Sequence, residues 1–472
     1  MDSRISARAL AAGLGGWRSS EPAYEALADA VRLLCLDNRL AAHTALPAER
    51  ELASALRVSR TTVAAAYRSL RDSGHIRSLR GSGSVTLPLV RTDPGVRPGV
   101  ADAIDLQQAS PPAWPGLAGV ITEVAAGAAT LVARSGYDVV GHAGLREQIA
   151  QRYCERGIPT DADEVLVTSG AQSAIHLIAA VLLGRADRVL IETPTYPHAA
   201  DAFRRAGARM VAVPVSTADG WDLDRAEQAF ARTLPVLAYL MPSFQNPTGR
   251  TMTREEVASL SAAADRVGTL VVIDETIADL VIDDDGGPEP FAGDTRVVRI
   301  GSLGKTVWGG LRVGWVRAPA DIIRRLAAAR PVHDLGTPEF EQAVAAALLP
   351  RMPEIIVQRG ERLRTGRDAL SAALASLLPQ WQVPRVHGGV SLWVELDAPL
   401  SSPLVIAARS RGLYLSAGAR FAVEGGHDRH LRVPFTSPPD ELARAAGILA
   451  DTWPEVVAGA PLGRAERFDA VV

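Results

Sequence analysis

Apolar positions follow two rhythms along this chain. Over residues 22–87 they recur at helical spacing in short runs. From about 104 to 458, short β-branched runs alternate with amphipathic helices. In the first part, Tyr24, Leu27, Val31 and Leu34 predict a helix over 22–39. Pro47 suits the first turn of a second helix, about 48–56, with Leu52 and Leu56 on one face. Ser59 is an N-cap for a third, about 60–73, whose Val63, Tyr67 and Leu70 face inward. Arg60, Thr61, Ala64, Arg68 and Arg71 are left for solvent or a partner. Gly74 ends that helix, and 76–79 with 85–87 can pair as a hairpin around Arg80-Gly81-Ser82-Gly83-Ser84. Residues 1–20 read as loose or as one short helix.

Residues 88–103 hold three Pro and two Gly with few large apolar residues, the composition of an extended tether. Beyond it, Val165–Thr168, Arg188–Ile191, Val236–Tyr239, Thr269–Ile273 and Val297–Ile300 are near-continuous apolar strands between helices. They predict a mostly parallel sheet covered on both faces. After about 330 the pattern turns to long helices and a few strands, including Val390–Leu396, a smaller α+β unit. The expected organisation is a winged helix-turn-helix module (1–87), a linker (88–103), a large α/β body (104–330), a small C-terminal subdomain (331–460) and a tail (461–472).

Composition refines this picture. The chain has 472 residues, 47% hydrophobic, and no run near the roughly 20 apolar residues of a membrane span. Asp2, Arg4 and Arg8 interrupt any signal-peptide pattern, and two cysteines, Cys35 and Cys154, suit a reducing cytoplasm. The net charge of −3 is unevenly spread, with the first 86 residues basic and the remainder acidic. A basic helical module on an acidic body points towards nucleic acid. Three short helices and a Gly-rich hairpin would place the third helix in a major groove and the wing against the backbone.

Among 50 basic residues Lys305 is the one lysine; the others are arginine. An amine can lose its proton, attack a carbonyl and form a Schiff base, which a guanidinium cannot do at working pH. Its flanks are special too. Ser302 precedes it, Arg312 follows, and five glycines lie from Gly301 to Gly314. A hydroxyl and an Arg fork suit a phosphate.

Ser302-x-x-Lys305 followed by Gly310-Leu311-Arg312-x-Gly314 resembles the lysine segment of fold-type-I enzymes that use pyridoxal 5′-phosphate, the aspartate aminotransferase superfamily. The resemblance implies a covalent link at Lys305, with Asp274 on the pyridine nitrogen. It places Tyr196 on the ring face and Asn246, of Asn246-Pro247-Thr248-Gly249, on the 3′ oxygen. Ser169, Gly170, Ala171, Gln172, Ser302 and Arg312 would form the phosphate cup. Tyr137 resembles the tyrosine a partner subunit lends to the phosphate, and Arg432 the arginine that grips an α-carboxylate. No metal is implied. The run Asp274-Glu275-Thr276 departs from the family, which carries a tyrosine shortly after the aspartate. Thr276 has a hydroxyl of shorter reach, so the body is expected to keep at most residual transaminase activity.

The N-terminal words, Leu46-Pro47-x-x-Arg50-x-Leu52-Ala53 and Val58-Ser59-Arg60-Thr61-Thr62-Val63, resemble GntR-type transcription regulators. By position, Arg50, Arg60, Thr61, Thr62 and the wing residue Ser82 are the expected DNA contacts. The two halves together resemble the MocR subfamily: cytoplasmic, head-to-tail homodimeric regulators that bind operator DNA and sense pyridoxal phosphate or an amino-acid effector through Lys305. The alternative is a working aminotransferase with a fused DNA-binding module.

Overall fold

A computed structural model describes residues 4–14, 17, 22–36, 40, 43–79, 83–87, 103–133, 135–283, 291 and 297–459. The linker, the tail and Ser82 in the wing lie outside these residues, apart from Ala103 at the linker's end.

The N-terminal module holds helices Ala7–Leu14, Ala23–Leu36, Glu49–Leu56 and Arg60–Asp72, then strands Ile76–Leu79 and Gly83–Thr86. The two strands pair antiparallel, with Ile76 opposite Thr86 and Leu79 opposite Gly83. Leu10, Leu27, Val31, Leu52, Val63, Tyr67 and Leu70 share one core. Tyr24 departs from its expected inward position. It is 37% exposed because Leu27 and Ala28 carry the buried face instead. Ser59 caps the last helix as its sequence suggested, accepting from the Thr62 amide at 3.0 Å. The Tyr67 hydroxyl donates to Pro47 O at 2.9 Å, tying that helix to the turn before its neighbour.

The body is built on an eight-stranded sheet. Its order is Val165–Thr168, Gly314–Arg317, Val297–Ser302, Leu270–Asp274, Leu237–Leu240, Arg188–Thr193, Arg209–Ser216 and Gly220–Trp221. The five strands from Val297–Ser302 to Arg209–Ser216 run parallel, and Gly314–Arg317 pairs antiparallel with both of its neighbours. The central strands are apolar on both faces because helices cover both. One side packs against Ala171–Leu182, Pro197–Arg205 and Ala320–Ala329. The other meets Leu223–Thr233 and Arg254–Val267.

A three-stranded antiparallel sheet, Ser391–Glu395, His430–Pro434 and Ser416–Ala417, forms the second unit with Met352–Leu377 and Pro439–Gly459. Ile104–Asp105 pairs in parallel with Leu413–Tyr414. Ile104, Leu106 and Ala109 thus join the C-terminal core, whereas Trp114 and Leu117 pack around the lysine turn. Gly366 lets Met352–Leu377 lie against the strand end at Phe435. A Cβ there would meet Phe435 O at 2.2 Å.

Leu70, fully buried among the N-terminal helices, provides a stability test. Leu70→Ala should destabilise the N-terminal module by about 2–5 kcal/mol, read as an earlier transition of that module in urea, with the body's transition unmoved.

Candidate functional site

The C-terminal ends of the parallel strands converge where open α/β sheets bind ligands. Asp274 is the last residue of Leu270–Asp274 and is buried. Its Oδ1 accepts from the Thr276 amide at 2.9 Å and its Oδ2 from the Tyr239 hydroxyl at 2.6 Å. Burial pushes the Asp274 carboxyl above its usual range, and these donors offset part of that rise. Tyr239 lies on the neighbouring strand and looked like core in the sequence; only the strand register, Leu240 beside Ile273, reveals its reach.

The lysine turn follows strand Val297–Ser302. Lys305 is half-buried, and its Nζ donates to Ala109 O at 2.6 Å. Burial, and then the positive charge of Arg432, push its pKa down from 10.5 to about 8. The turn rests on Trp315, which leaves no room for a side chain at Gly301, where a Cβ would lie 2.2 Å from the indole.

Where the phosphate is expected, Gly170 has φ +93 and precedes the helix Ala171–Leu182. Arg312, also left-handed at φ 53, lies over it and donates to Ser169 O at 2.8 Å. A Cβ on Gly170 would meet Arg312 Nη2 at 2.7 Å. The hollow thus combines a helix N-terminus with a guanidinium, and the left-handed φ of Gly170 disfavours a side chain at its floor. Ser302 is buried at the start of the lysine turn. Its hydroxyl donates to Val313 O at 3.2 Å and accepts from Gly304 N at 3.0 Å, shaping the lysine turn. Gln172 Nε2 donates to His198 O at 3.2 Å, away from the hollow.

Tyr196 stands at the N-cap of Pro197–Arg205, edge-on to His198. Burial raises its pKa to about 12, and it feels the charges of Asp274, Arg432 and Arg312, which places it among them. Asn246 sits in the neighbouring loop, with a buried Oδ1 that has no partner. A clamp invisible to motif reading joins these two loops. Gln245 Nε2 donates to Pro194 O at 2.7 Å and to Glu192 Oε2 at 3.1 Å, and Gln245 Oε1 accepts from Thr248 N and Oγ1. Glu192 Oε1 accepts from Trp221 Nε1 and Met241 N, each at 3.0 Å. Burial raises Glu192 to about 7.

Arg432 is buried beside Phe421, 4.8 Å from the ring centre, on strand His430–Pro434. Its Nη2 donates to Gln107 O at 2.6 Å and its Nε has no partner. No carboxylate among the described residues pairs with it, and burial lowers its pKa to about 10. A buried, half-satisfied guanidinium is a standing anion site. Tyr137 and Thr276 are the outlying cases. Tyr137 is 72% exposed, and Thr276 reaches the site through its amide.

These residues fit pyridoxal phosphate on their own chemistry: an activated amine, a buried carboxylate, a cationic hollow with a glycine floor, and unpartnered polar atoms on Asn246 and Arg432. In the N-terminal module, Arg50, Arg60 and Thr61 are exposed at the start of adjacent helices, and Arg60 leans on Glu49 at 3.6 Å. Thr62 is half-buried, its hydroxyl against Ser59 Oγ at 2.7 Å.

Comparison with known proteins agrees. Residues 122–449 match aminotransferase class I and II, and residues 23–85 match bacterial regulatory proteins of the gntR family. The 2-aminoadipate transaminase of Thermus thermophilus is 32% identical over 305 residues, 63% of this chain and 75% of that protein. The uncharacterized HTH-type transcriptional regulator YdfD of Bacillus subtilis is 26% identical over 436 residues, 84% of this chain and 89% of that one. The crystal structure of LysN, the alpha-aminoadipate aminotransferase of Thermus thermophilus complexed with N-(5′-phosphopyridoxyl)-L-leucine, superposes with a TM-score of 0.69 at 28% identity. It covers 76% of this chain and 94% of that one.

The depressed Lys305 pKa gives a pH test. Only the neutral amine attacks an aldehyde, so capture of pyridoxal phosphate should accelerate as pH rises through about 8. Arg432→Gln removes a positive neighbour and should move that midpoint upward, towards 10.5. Stopped-flow absorbance at a series of pH values reads both, and an unmoved midpoint would contradict the assigned cause.

Proposed function

The chain belongs to the class I and II aminotransferase family and carries a gntR-type regulatory domain, the MocR architecture; from this we propose a regulator that reads its ligand through Lys305. The observation that carries the reading is the union, in one polypeptide, of a winged helix with exposed Arg50, Arg60 and Thr61 and a body whose sole lysine is tuned for attack.

Bound there, pyridoxal phosphate supplies an aldehyde for an amine to condense with and a pyridinium ring that withdraws electrons. Asp274, held by Tyr239, keeps the ring nitrogen protonated. Arg312 with the Gly170 hollow would hold the phosphate, the Asn246 amide nitrogen would donate to the 3′ oxygen and Tyr196 would cover the ring. Arg432 takes the carboxylate of an amino-acid effector through its unpartnered Nε and its Nη2. Occupancy favours one arrangement of the body, and the tether passes the change to the spacing of two winged helices on operator half-sites.

Two copies act together in the cytoplasm, head to tail. The exposed apolar side chains Val132, Tyr137, Val332 and Leu335 are surface that a second copy could cover, which supports this reading. Tyr137 then reaches the partner's phosphate. The second reading, an active aminotransferase, is favoured by the 32% identity to a transaminase, and keto-acid formation from an amino-acid panel tests it.

Footprinting on DNA upstream of the protein's own gene, with and without pyridoxal phosphate, tests the main reading. A pair of protected half-sites should change pattern with the cofactor. Lys305→Ala should lose that change, and Arg60→Ala should lose protection under both conditions. A Lys305→Ala protein that still responds would refute the covalent switch.

A further inference from the structure

Three cations from different parts of the body donate to main-chain carbonyls of one short segment. Arg432 Nη2 reaches Gln107 O at 2.6 Å, Lys305 Nζ reaches Ala109 O at 2.6 Å, and Arg359 Nη1 reaches Pro112 O at 2.9 Å. Arg359 is buried, and its other two bonds go to Thr306 O and Val307 O, just after the lysine, each at 2.9 Å. One guanidinium therefore ties the foot of the segment to the lysine turn. The segment also crosses between units. The strand leading into it, Ile104–Asp105, pairs with Leu413–Tyr414, and its own Ala109 packs in the C-terminal core, while Trp114, just beyond it, packs around the lysine turn and donates its amide to Val307 O at 2.9 Å.

The three anchors differ in permanence. Arg359 has no role that a ligand could claim, since all its bonds serve main chain. Arg432 holds Gln107 O with one nitrogen while Nε goes unpartnered. A carboxylate offers two charged oxygens to that fork, a stronger partner than one neutral carbonyl. Lys305 holds Ala109 O through the same Nζ that would face pyridoxal phosphate, so a ligand filling the site would compete with that carbonyl for it.

We propose that Gln107–Pro112 is a strap that reports the state of the site, with Arg359 as its fixed foot and positioning residue and Lys305 and Arg432 as its two releasable anchors. The inference rests on the cofactor reading above. It places a ligand-sensitive segment next to Ile104, from which the chain runs back through residues 88–103 to the winged helix. Filling the site frees the carbonyls of Gln107 and Ala109, while Ile104 and Leu106 stay bonded to Gly412 O and Tyr414 O.

Hydrogen exchange of the full chain tests this, with N-(5′-phosphopyridoxyl)-L-alanine as the probe, since it carries phosphate, ring and carboxylate in one stable molecule. Its binding is followed by its own fluorescence. The Gln107 and Ser110 amides are bonded locally, to Asp105 Oδ1 and Gln108 O. Their exchange should quicken on binding by about 10-fold or more. The Ile104 and Leu106 amides, bonded to Gly412 O and Tyr414 O, should not change. Binding with unchanged or slower exchange at 107–110 overturns the strap alone. Failure to bind overturns the cofactor reading, and the strap with it. Asp105→Ala removes the Gln107 amide's acceptor without touching the site. It should raise exchange at 107–110 in the free protein and shrink the probe's effect, and Asp105→Asn, which keeps an acceptor oxygen, should restore both. An Asp105→Ala protein that responds as the parent does also overturns the strap.

Discussion

Positive charge held without a matching carboxylate is the constraint on which this body depends. Arg432 and Arg359 are buried, Lys305 is half-buried, and each donates to main-chain carbonyls in place of a carboxylate. Moving an ion out of water is costly, and carbonyl dipoles offset only part of it. The remainder of that cost shows in the depressed pKa values, about 8 for Lys305 and about 10 for each arginine. A site prepared in this way gains most from an incoming anion or carbonyl. The same loops that lower the amine's pKa also keep the guanidinium fork ready.

The carboxylates are arranged to leave that imbalance intact. Asp274 and Glu275 are consecutive, and successive side chains leave a strand on opposite sides. Asp274 turns to the site under the Tyr239 hydroxyl. Glu275 turns to Arg156 and Arg299 and accepts from Tyr153, itself bonded to Trp315. Burial alone would raise Glu275, but the two guanidiniums override it and hold its carboxyl below the usual range. Glu192 is also buried near the site, yet its three donors and raised pKa make it a scaffold for the Tyr196 and Asn246 loops.

Much of this was legible in the sequence because the signals are local. Ser59 capping its helix, Asp274 closing an apolar strand and Gly170 before a helix each follow from a few neighbouring residues. Tyr24 misled because a helical stripe wide enough for four apolar residues had only to bury three. Ser302 has a role its spacing did not announce, a hydroxyl that braces its own turn. Tyr239, Gln245, Arg359 and the carbonyls of Gln107 and Ala109 carried no signal. Their contributions are tertiary, made across sequence separations that no spacing rule spans. Main-chain oxygens, moreover, are identical at every position.

The scarcity of lysine has a practical side. Amine-directed chemistry on side chains has a single address in this molecule, and that address is Lys305. Acylating reagents, amine cross-linkers and enzymes that modify lysines find no side-chain amine on the helices of the N-terminal module, where every basic side chain is arginine. A label installed at Lys305 reports on the ligand site with no background, and conjugation elsewhere has to go through a thiol such as the exposed Cys154.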